Sequence, residues 1–475
     1  MGKNALLIHV PCGSTTEKES TTYKKLKEEF LEAYFLYRLQ TVYRNLAPES
    51  LKNAENTHLL NFALLSFAPI LKNEGINVTY LAGSEKKIRQ ELSSFPEKPF
   101  FVAFSSPHAS SLPITEKLAT TAKKRWPDVL TIVGGQYINL VNSMKNIDLI
   151  VHGDGFIPLF AVAKGWKPSS SVITNISVPE SLSSEFKKRY EEFLYPDVSF
   201  VPPTPMPIGR IYFQRGCLYG SHKTSCKACL VTSGKNLKTA NDPERILKAL
   251  EEMKERFGTN YFFIADDDFL ANPNAARELL LKISSWRSKP SNSSITFSFQ
   301  CRVSSFLEFI EKFRDATRLF KDAGIVEVQF GVESFHQRLV DEFWGGKFKV
   351  DELPKALENA KNAGLYTLCN VQFGLPGETE EEMQRTKTKI RSFMKKGLTD
   401  FVDPYFLTEF SKGGYRTEYE FSEYPSMWSD KANKESIKTC RDETMKEMTK
   451  IFLRRLKKGK ELEGKKIFVP TKALT

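Results

Sequence analysis

The chain is poor in cysteine and histidine and has no long apolar run. Its 475 residues hold 7 Cys and 6 His. So few thiols do not describe a disulfide framework, and a reducing, cytoplasmic setting is expected. No apolar stretch nears the ~20 residues that cross a bilayer. No N-terminal segment joins a charged stretch, an apolar run and a small-residue cleavage site. A membrane is therefore not an expected partner. Charge is also modest: 69 Lys and Arg against 57 Asp and Glu leave +12. Much of that excess sits in KIFLRRLKKGKELEGKKIF (450–468), which reads as a solvated helix face. Nucleic acid is not an expected partner either. What remains is an ordinary soluble composition, 41% hydrophobic and 27% charged, long enough for two to four domains.

Apolar runs alternate with helical patterns in the first part of the chain, about 1–175. ALLIHV (5–10), INVTYL (76–81), FFVAFSS (100–106), VLTIVGGQY (129–137) and DLIVHGDG (148–155) read as strands. HLLNFALLSFAPILKNEG (58–75) and PITEKLATTAKKRW (113–126) read as helices between them. This alternation predicts a doubly wound, Rossmann-like parallel sheet. Such a sheet binds ligands beyond the carboxyl ends of its strands. There the loops are PCGS (11–14), SSPHASS (105–111), GGQY (134–137) and GDGF (153–156), all small, polar or glycine-rich. Residues 15–57 are an insertion whose stretch 23–46 looks helical. Serine- and proline-rich residues from 166, with PPTPMP at 202–207, read as a structure-breaking linker, assigned to 176–207.

A second strand–helix series starts at about 208 and runs to 410. Its strands are GRIYFQRG (209–216), NYFFIAD (260–266), ITFSFQCR (295–302), VEVQFGVES (326–334), TLCNVQFG (367–374) and DFVDPYF (400–406). One intervening helix has a full set of signals: Asp242 as cap, Pro243 at the first position and Gly258 as stop. Six units predict a partial (β/α)6 barrel, with chemistry at the carboxyl ends of the strands. Residues 411–475 form a C-terminal helical and basic appendix.

Right after the first barrel strand comes FQRGCLYGSHKTSCKACLVTSG (213–234), with Cys217, Cys226 and Cys229 spaced C-x8-C-x2-C. With His222 these thiols form a candidate Cys3His zinc site. The other reading is an iron–sulfur cluster with three protein thiolates, which leaves one iron open. The Asp266, Asp267, Asp268 triplet is either solvated or a divalent-cation site.

On these residues the barrel resembles the radical S-adenosylmethionine (SAM) superfamily. There a three-cysteine loop after the first strand holds a [4Fe–4S] cluster, and SAM binds the open iron. The resemblance implies that Cys217, Cys226 and Cys229 carry the cluster. RGCLYGSHKTSCKAC (215–229) is most like the loop of a subgroup active on ribosomal peptides. The chain departs from the common C-x3-C-x2-C spacing, and Ala228 stands where an aromatic is usual. IADDDFL (264–270), FQCR (299–302), FGVES (330–334) and NVQFGLPGETEEEM (370–383) resemble the SAM-holding ends of later strands. They imply Asp267, Gln300, Arg302, Glu333, Ser334, Gln372, Gly374 and Pro376 as SAM contacts. An Arg can fork onto the carboxylate of SAM, and glycine lets the backbone approach adenine.

The glycine loops of the first region, followed by a linker and a cysteine-bearing barrel, resemble the cobalamin-binding subclass. That implies cobalamin near Ser105, Ser106, His108, Gly134, Gly135, Gly153 and Gly155. The D-x-H-x-x-G motif of other cobalamin proteins is absent, so no histidine ligand to cobalt is expected.

The implied activity is reductive SAM cleavage, with cobalamin-dependent methylation of an unactivated carbon in a peptide or small natural-product substrate. An external electron donor of flavodoxin or ferredoxin type is implied as well. Rearrangement or cyclisation without net methylation, aminocarboxypropyl transfer from SAM, and a non-catalytic cobalamin or Fe–S sensor remain open.

Overall fold

A computed structural model describes residues 3–11, 21–107, 109–135, 138, 141–190, 195–215, 238–239, 242–345, 348–375, 377–406, 432 and 434–463. It contains two six-stranded parallel sheets.

The first sheet is built from β1 (Lys3–His9), β2 (Ile76–Leu81), β3 (Phe101–Ser105), β4 (Leu130–Gly134), β5 (Leu149–Val151) and β6 (Val172–Ile173). Their order is β2-β1-β3-β4-β5-β6, doubly wound as the alternation predicts. Successive residues of β1 serve opposite faces. Ala5 and Leu7 join one core with Leu65 and Leu71 of α2 (Phe62–Asn73). Leu6 and Ile8 join another with Ile88 of α3 (Glu85–Ser94) and Leu118 of α4 (Leu112–Arg125). A strand buried on both faces reads as an unbroken apolar run.

The serine- and proline-rich stretch 166–207 carries regular elements among its described residues. β6 lies in it and pairs with β5, and α6 (Glu180–Tyr190) packs Phe186 and Tyr190 on Phe160 of α5 (Phe156–Ala163). The serines and prolines there mark turns around short elements, and three aromatic side chains supply the packing.

The second sheet runs β14-β13-β12-β11-β10-β7. Its strands are β7 (Ile208–Ile211), β10 (Tyr261–Ile264), β11 (Thr296–Cys301), β12 (Ile325–Glu333), β13 (Tyr366–Phe373) and β14 (Phe401–Phe406). All six match the sequence expectation, and helices between them complete an open barrel. Among these are α7 (Pro243–Phe257), α9 (Val303–Lys312) and α13 (Glu380–Lys395). In α7, Asp242 caps Glu244 N and Gly258 ends the helix at φ +68°. A short ribbon, β8 (Gln214–Arg215) with β9 (Lys238–Thr239), leaves the end of β7.

Strand register defines the barrel lumen. Ser298, Glu327 and Tyr366 align across three strands, as do Gln300, Gln329 and Leu368. Leu368, Asn370 and Gln372 then align with Phe401, Asp403 and Tyr405. The opposite face holds Phe299, Phe330 and Val371, packed under the outer helices.

The inserted segment forms α1 (Thr21–Gln40), and α1 makes the barrel floor. Tyr34 and Tyr37 pack on Phe401 of β14 at ring distances of 5.6 and 5.1 Å. Just beyond α1, Val42 and Leu46 share a core with Ile208 of β7 and Tyr261 of β10. Between these contacts the Arg38 guanidinium donates to Glu327 of β12 at 2.7 Å and to the Tyr261 hydroxyl at 3.1 Å. Tyr37 donates to the same carboxylate at 2.6 Å. Burial opposes the Arg38 charge, but Glu327 and the surrounding tyrosines outweigh it and raise its pKa.

Candidate functional site at the mouth of the barrel

Cys217, Cys226 and Cys229 lie outside the described residues, as do His108 and Pro376. Their frame is described. Gln214 pairs with Thr239 and Arg215 with Lys238, so the cysteine segment leaves and returns at one place. The departure point is fixed by Asp266. Its carboxylate accepts Phe213 N at 2.7 Å and Gln214 N at 3.0 Å. Gln214 also donates to Phe269 O at 2.6 Å, and Gln300 donates to Asp266 O at 2.9 Å. Burial pushes the Asp266 carboxyl up to about 8, with Asp267 and Asp268 adding to it, against the pull of the two backbone N–H groups. The Gln214 Oε1 atom is buried and has no hydrogen-bond partner among the described residues.

The three aspartates thus have three environments. Asp266 and Asp268 are buried, while Asp267 is exposed at the mouth. Asp268 accepts Arg302 Nε at 2.5 Å and Ser305 Oγ at 2.7 Å. Arg302, read from the sequence as a carboxylate fork, already has one such partner inside the protein. It holds β11 to the Asp triplet and is 8% exposed.

Glu333 and Gln372 come together. Gln372 Nε2 donates to Glu333 Oε2 at 2.8 Å, across the shift in register where β12 ends. Glu333 sits at φ +63°, a left-handed conformation that non-glycine residues rarely take. Ser334 is fully buried, and its hydroxyl accepts His336 N at 3.2 Å in a local turn.

Gly374 has a reason that sequence alone does not show. It adopts φ +77°, and a Cβ there would stand 2.7 Å from Ile437 of α14 (Lys434–Glu463). The Glu378 carboxylate folds back onto Gly374 N and Leu375 N at 2.8 and 3.1 Å. Burial pushes Glu378 up to about 8, against those two donors. Thr379 and Glu382 form the expected capping box of α13.

The strand ends of the first sheet form a second site. Ser105 pairs in register with Gly134, and Ser106 N donates to Gly134 O at 2.8 Å. Gly135 at φ +141° lies so close that a Cβ would stand 2.1 Å from Ser106 O. Gly153 at φ +80° meets nothing within 4 Å, and Gly155 precedes α5. Two residues not singled out from sequence join this group. Asn61 caps α2 through Leu64 N and donates to His9 Nδ1 at 3.1 Å and Ser105 Oγ at 2.8 Å. Burial lowers the His9 pKa to about 4, so its ring is neutral. His9 is the penultimate residue of the strand expected at 5–10, which was the available signal, but the Asn61 partner lies 52 residues away. The two sites meet where Phe62 packs edge-on against Tyr212, with ring centroids 5.0 Å apart.

A doubly wound sheet facing an open parallel barrel, with a thiol-bearing segment leaving its first strand, defines a class. Residues 211–390 match the model of the Radical SAM superfamily. The barrel is thus a radical SAM domain, a fold that works with a [4Fe–4S] cluster and SAM.

Two curated relatives are similar in sequence. An uncharacterized methyltransferase of Pyrococcus horikoshii is 25% identical over 287 residues, 57% of this chain. The anaerobic magnesium-protoporphyrin IX monomethyl ester cyclase of Cereibacter sphaeroides is 20% identical over 64% of this chain. The chain spans 59% and 50% of their lengths. Among solved structures, the radical SAM methyltransferase TsrM of Kitasatospora setae shares the fold. With tryptophan substrate and a SAM analog bound, it gives a TM-score of 0.52 at 14% identity, covering 86% of this chain and 73% of that one. Its form with cobalamin and a [4Fe–4S] cluster bound gives 0.51.

Proposed function

We propose that the chain is a cobalamin-dependent radical SAM methyltransferase acting on an unactivated carbon of a peptide or small natural product. Its parts are a cobalamin-type domain at 1–175, a barrel at 208–410 and a helical appendix at 411–475. The observation that carries this reading is the junction of the two sites. Asn61, tied to His9 and Ser105 at the strand ends of the first sheet, precedes Phe62, which touches Tyr212 at the end of the first barrel strand. Two cofactors held at these ends would face one shared space.

The residues present suit such groups. Gly134, Gly135 and Gly153 keep the strand ends of the first sheet low, and Ser105 and Ser106 bring buried hydroxyls to them. Cys217, Cys226 and Cys229 would hold the cluster, on a segment that Asp266 and Gln214 anchor at its base. Glu333, Gln372 and Gln300 line the mouth as candidates for the polar groups of SAM. When bound, these groups supply one-electron cleavage of SAM and a carried methyl group. The protein's share is to orient them and exclude water, with electrons arriving from an external flavodoxin- or ferredoxin-type donor.

Anaerobic purification with cluster reconstitution tests the proposal. Iron, sulfide and extracted corrinoid are counted, and SAM products are identified by mass spectrometry. The expected result is iron, sulfide, bound corrinoid and 5′-deoxyadenosine, with SAM cleavage lost in Cys226→Ala. Zinc without iron would end the reading. Iron without corrinoid would leave the barrel activity and remove the methyl carrier.

A further inference from the structure

The last residues of β1 and β3 stand side by side in the first sheet, and the start of α2 lies against them. His9 pairs in register with Ser105, and Ser105 in turn with Gly134 of β4. The row across the three strand ends is therefore imidazole, hydroxyl and no side chain. Two residues earlier on the same strands, Leu7 and Ala103 belong to the core shared with α2.

Asn61 closes this row from the α2 side, and its amide has one orientation. Its Oδ1 accepts Leu64 N at 3.0 Å as the helix cap, so the NH2 group is the end that meets the sheet. That group donates to His9 Nδ1 at 3.1 Å and to Ser105 Oγ at 2.8 Å. The cap thus fixes the direction of both bonds, although an amide or an imidazole alone leaves it open. His9 accepts at Nδ1, as its neutral ring can. Ser105 accepts as well, so its own hydrogen is left to give.

Among the described residues nothing takes that hydrogen. Ser106 differs, since its hydroxyl is paired with Ser111 Oγ at 2.6 Å. Ser105 is 8% exposed, and a buried hydroxyl that accepts without donating is half satisfied. The flank away from His9 is Gly134, where no side chain stands.

We propose that Asn61 is a positioning residue of the first site. It fixes Ser105 as a hydrogen-bond donor, and the donor serves an acceptor oxygen of a bound corrinoid. Asn61 acts only through Ser105. This rests on the reading above in taking the first sheet as the corrinoid site. It adds the polarity of one contact and the residue that sets it.

The test compares hydroxocobalamin affinity, by equilibrium dialysis with the full, cluster-reconstituted chain. The proteins are the wild type, Asn61→Asp, Ser105→Ala and the double variant. An aspartate keeps the cap on Leu64 N but has no hydrogen to give, so Ser105 turns its own onto the carboxylate. Thermal midpoint and iron content should stay close to the wild type in Asn61→Asp. Affinity should fall about ten-fold, the order of one hydrogen bond. Ser105→Ala should fall as far, and adding Asn61→Asp to it should change affinity by less than about two-fold. Wild-type affinity in Asn61→Asp would overturn the proposal, and so would a further loss in the double variant. If Asn61→Asp does not fold, Asn61→Ser, which also caps but carries no amide, is held to the same outcomes. No hydroxocobalamin binding by the wild type would sink the corrinoid reading and the proposal together. Binding indifferent to Asn61 would sink the proposal alone.

Discussion

The Arg38 guanidinium and the Glu327 carboxylate form an ion pair, Nη1 to Oε1 at 2.7 Å, with side chains 8% and 0% exposed. One partner lies on a helix inserted into the first domain and the other on the fourth strand of the barrel. Removing one member of a buried pair strands the other, which costs roughly 3–5 kcal/mol, whereas apolar replacement of both is often neutral. Arg38→Met should therefore lower the urea midpoint sharply, and Arg38→Met with Glu327→Leu should recover most of it. An unchanged midpoint in the single variant would show that the pair is not buried in solution.

Acid should weaken the first domain through His9. Its folded pKa is about 4 against an ordinary 6.5. The unfolded chain therefore takes up a proton below pH 6.5 that the folded chain refuses until about pH 4. The contribution is whole above 6.5, falls between 6.5 and 4, and amounts to about 3 kcal/mol at most. His9→Gln should flatten this part of the stability–pH curve, measured by denaturant melts at steps of pH. An identical slope in the variant would assign the acid sensitivity elsewhere.

Two glycines of the first site should respond differently to alanine. At Gly135 the new Cβ meets Ser106 O at 2.1 Å, and φ is +141°. At Gly153 φ is +80° with nothing within 4 Å. Gly153→Ala should cost only backbone strain, about 1–2 kcal/mol. Gly135→Ala should cost more and displace the β3 and β4 ends. Thermal melts rank the two, and retained corrinoid should fall with Gly135→Ala in particular.

Asp266 should control the cysteine segment without touching a cluster. Asp266→Ala leaves Phe213 N and Gln214 N without their acceptor, a loss of about 1–3 kcal/mol for each buried group. Iron content after reconstitution should fall in this variant. Asp266→Asn, which keeps one acceptor oxygen, should fall between it and the wild type. Full iron loading in Asp266→Ala would mean that the segment finds its place without the clamp.

Much of this fold was legible as pattern. The inner barrel strands β12 and β13 are largely buried on both faces, so VEVQF and TLCNVQF stand out as apolar runs with polar residues at alternate lumen positions. Asp242, Pro243 and Gly258 mark α7 through local backbone chemistry, which needs no tertiary contact. The stretch 166–207 misled because its serines and prolines are turn formers, while its order comes from Phe186 and Tyr190 packing on Phe160. Long-range pairs were beyond reach. Arg38 and Glu327 are 289 residues apart, and nothing local marks either as the other's partner. Arg302 looked like a ligand because strand-end arginines suit carboxylates, and the Asp268 that engages it belongs to a triplet with no visible division of labour. Gly374 was singled out for the approach of SAM, whereas the close neighbour that the structure gives it is Ile437 of α14, which no local pattern announces.

The helix that floors the barrel has a consequence for how the chain is inherited and dissected. The segment that matches the superfamily, 211–390, begins well after Arg38. Cut out alone, it would leave the Glu327 carboxylate without the Arg38 and Tyr37 donors, keeping only the Gln329 amide, and would lose the aromatic floor that α1 supplies. The barrel therefore depends on a piece of sequence that precedes it by some 170 residues, and its boundary in the gene is not its boundary in the fold.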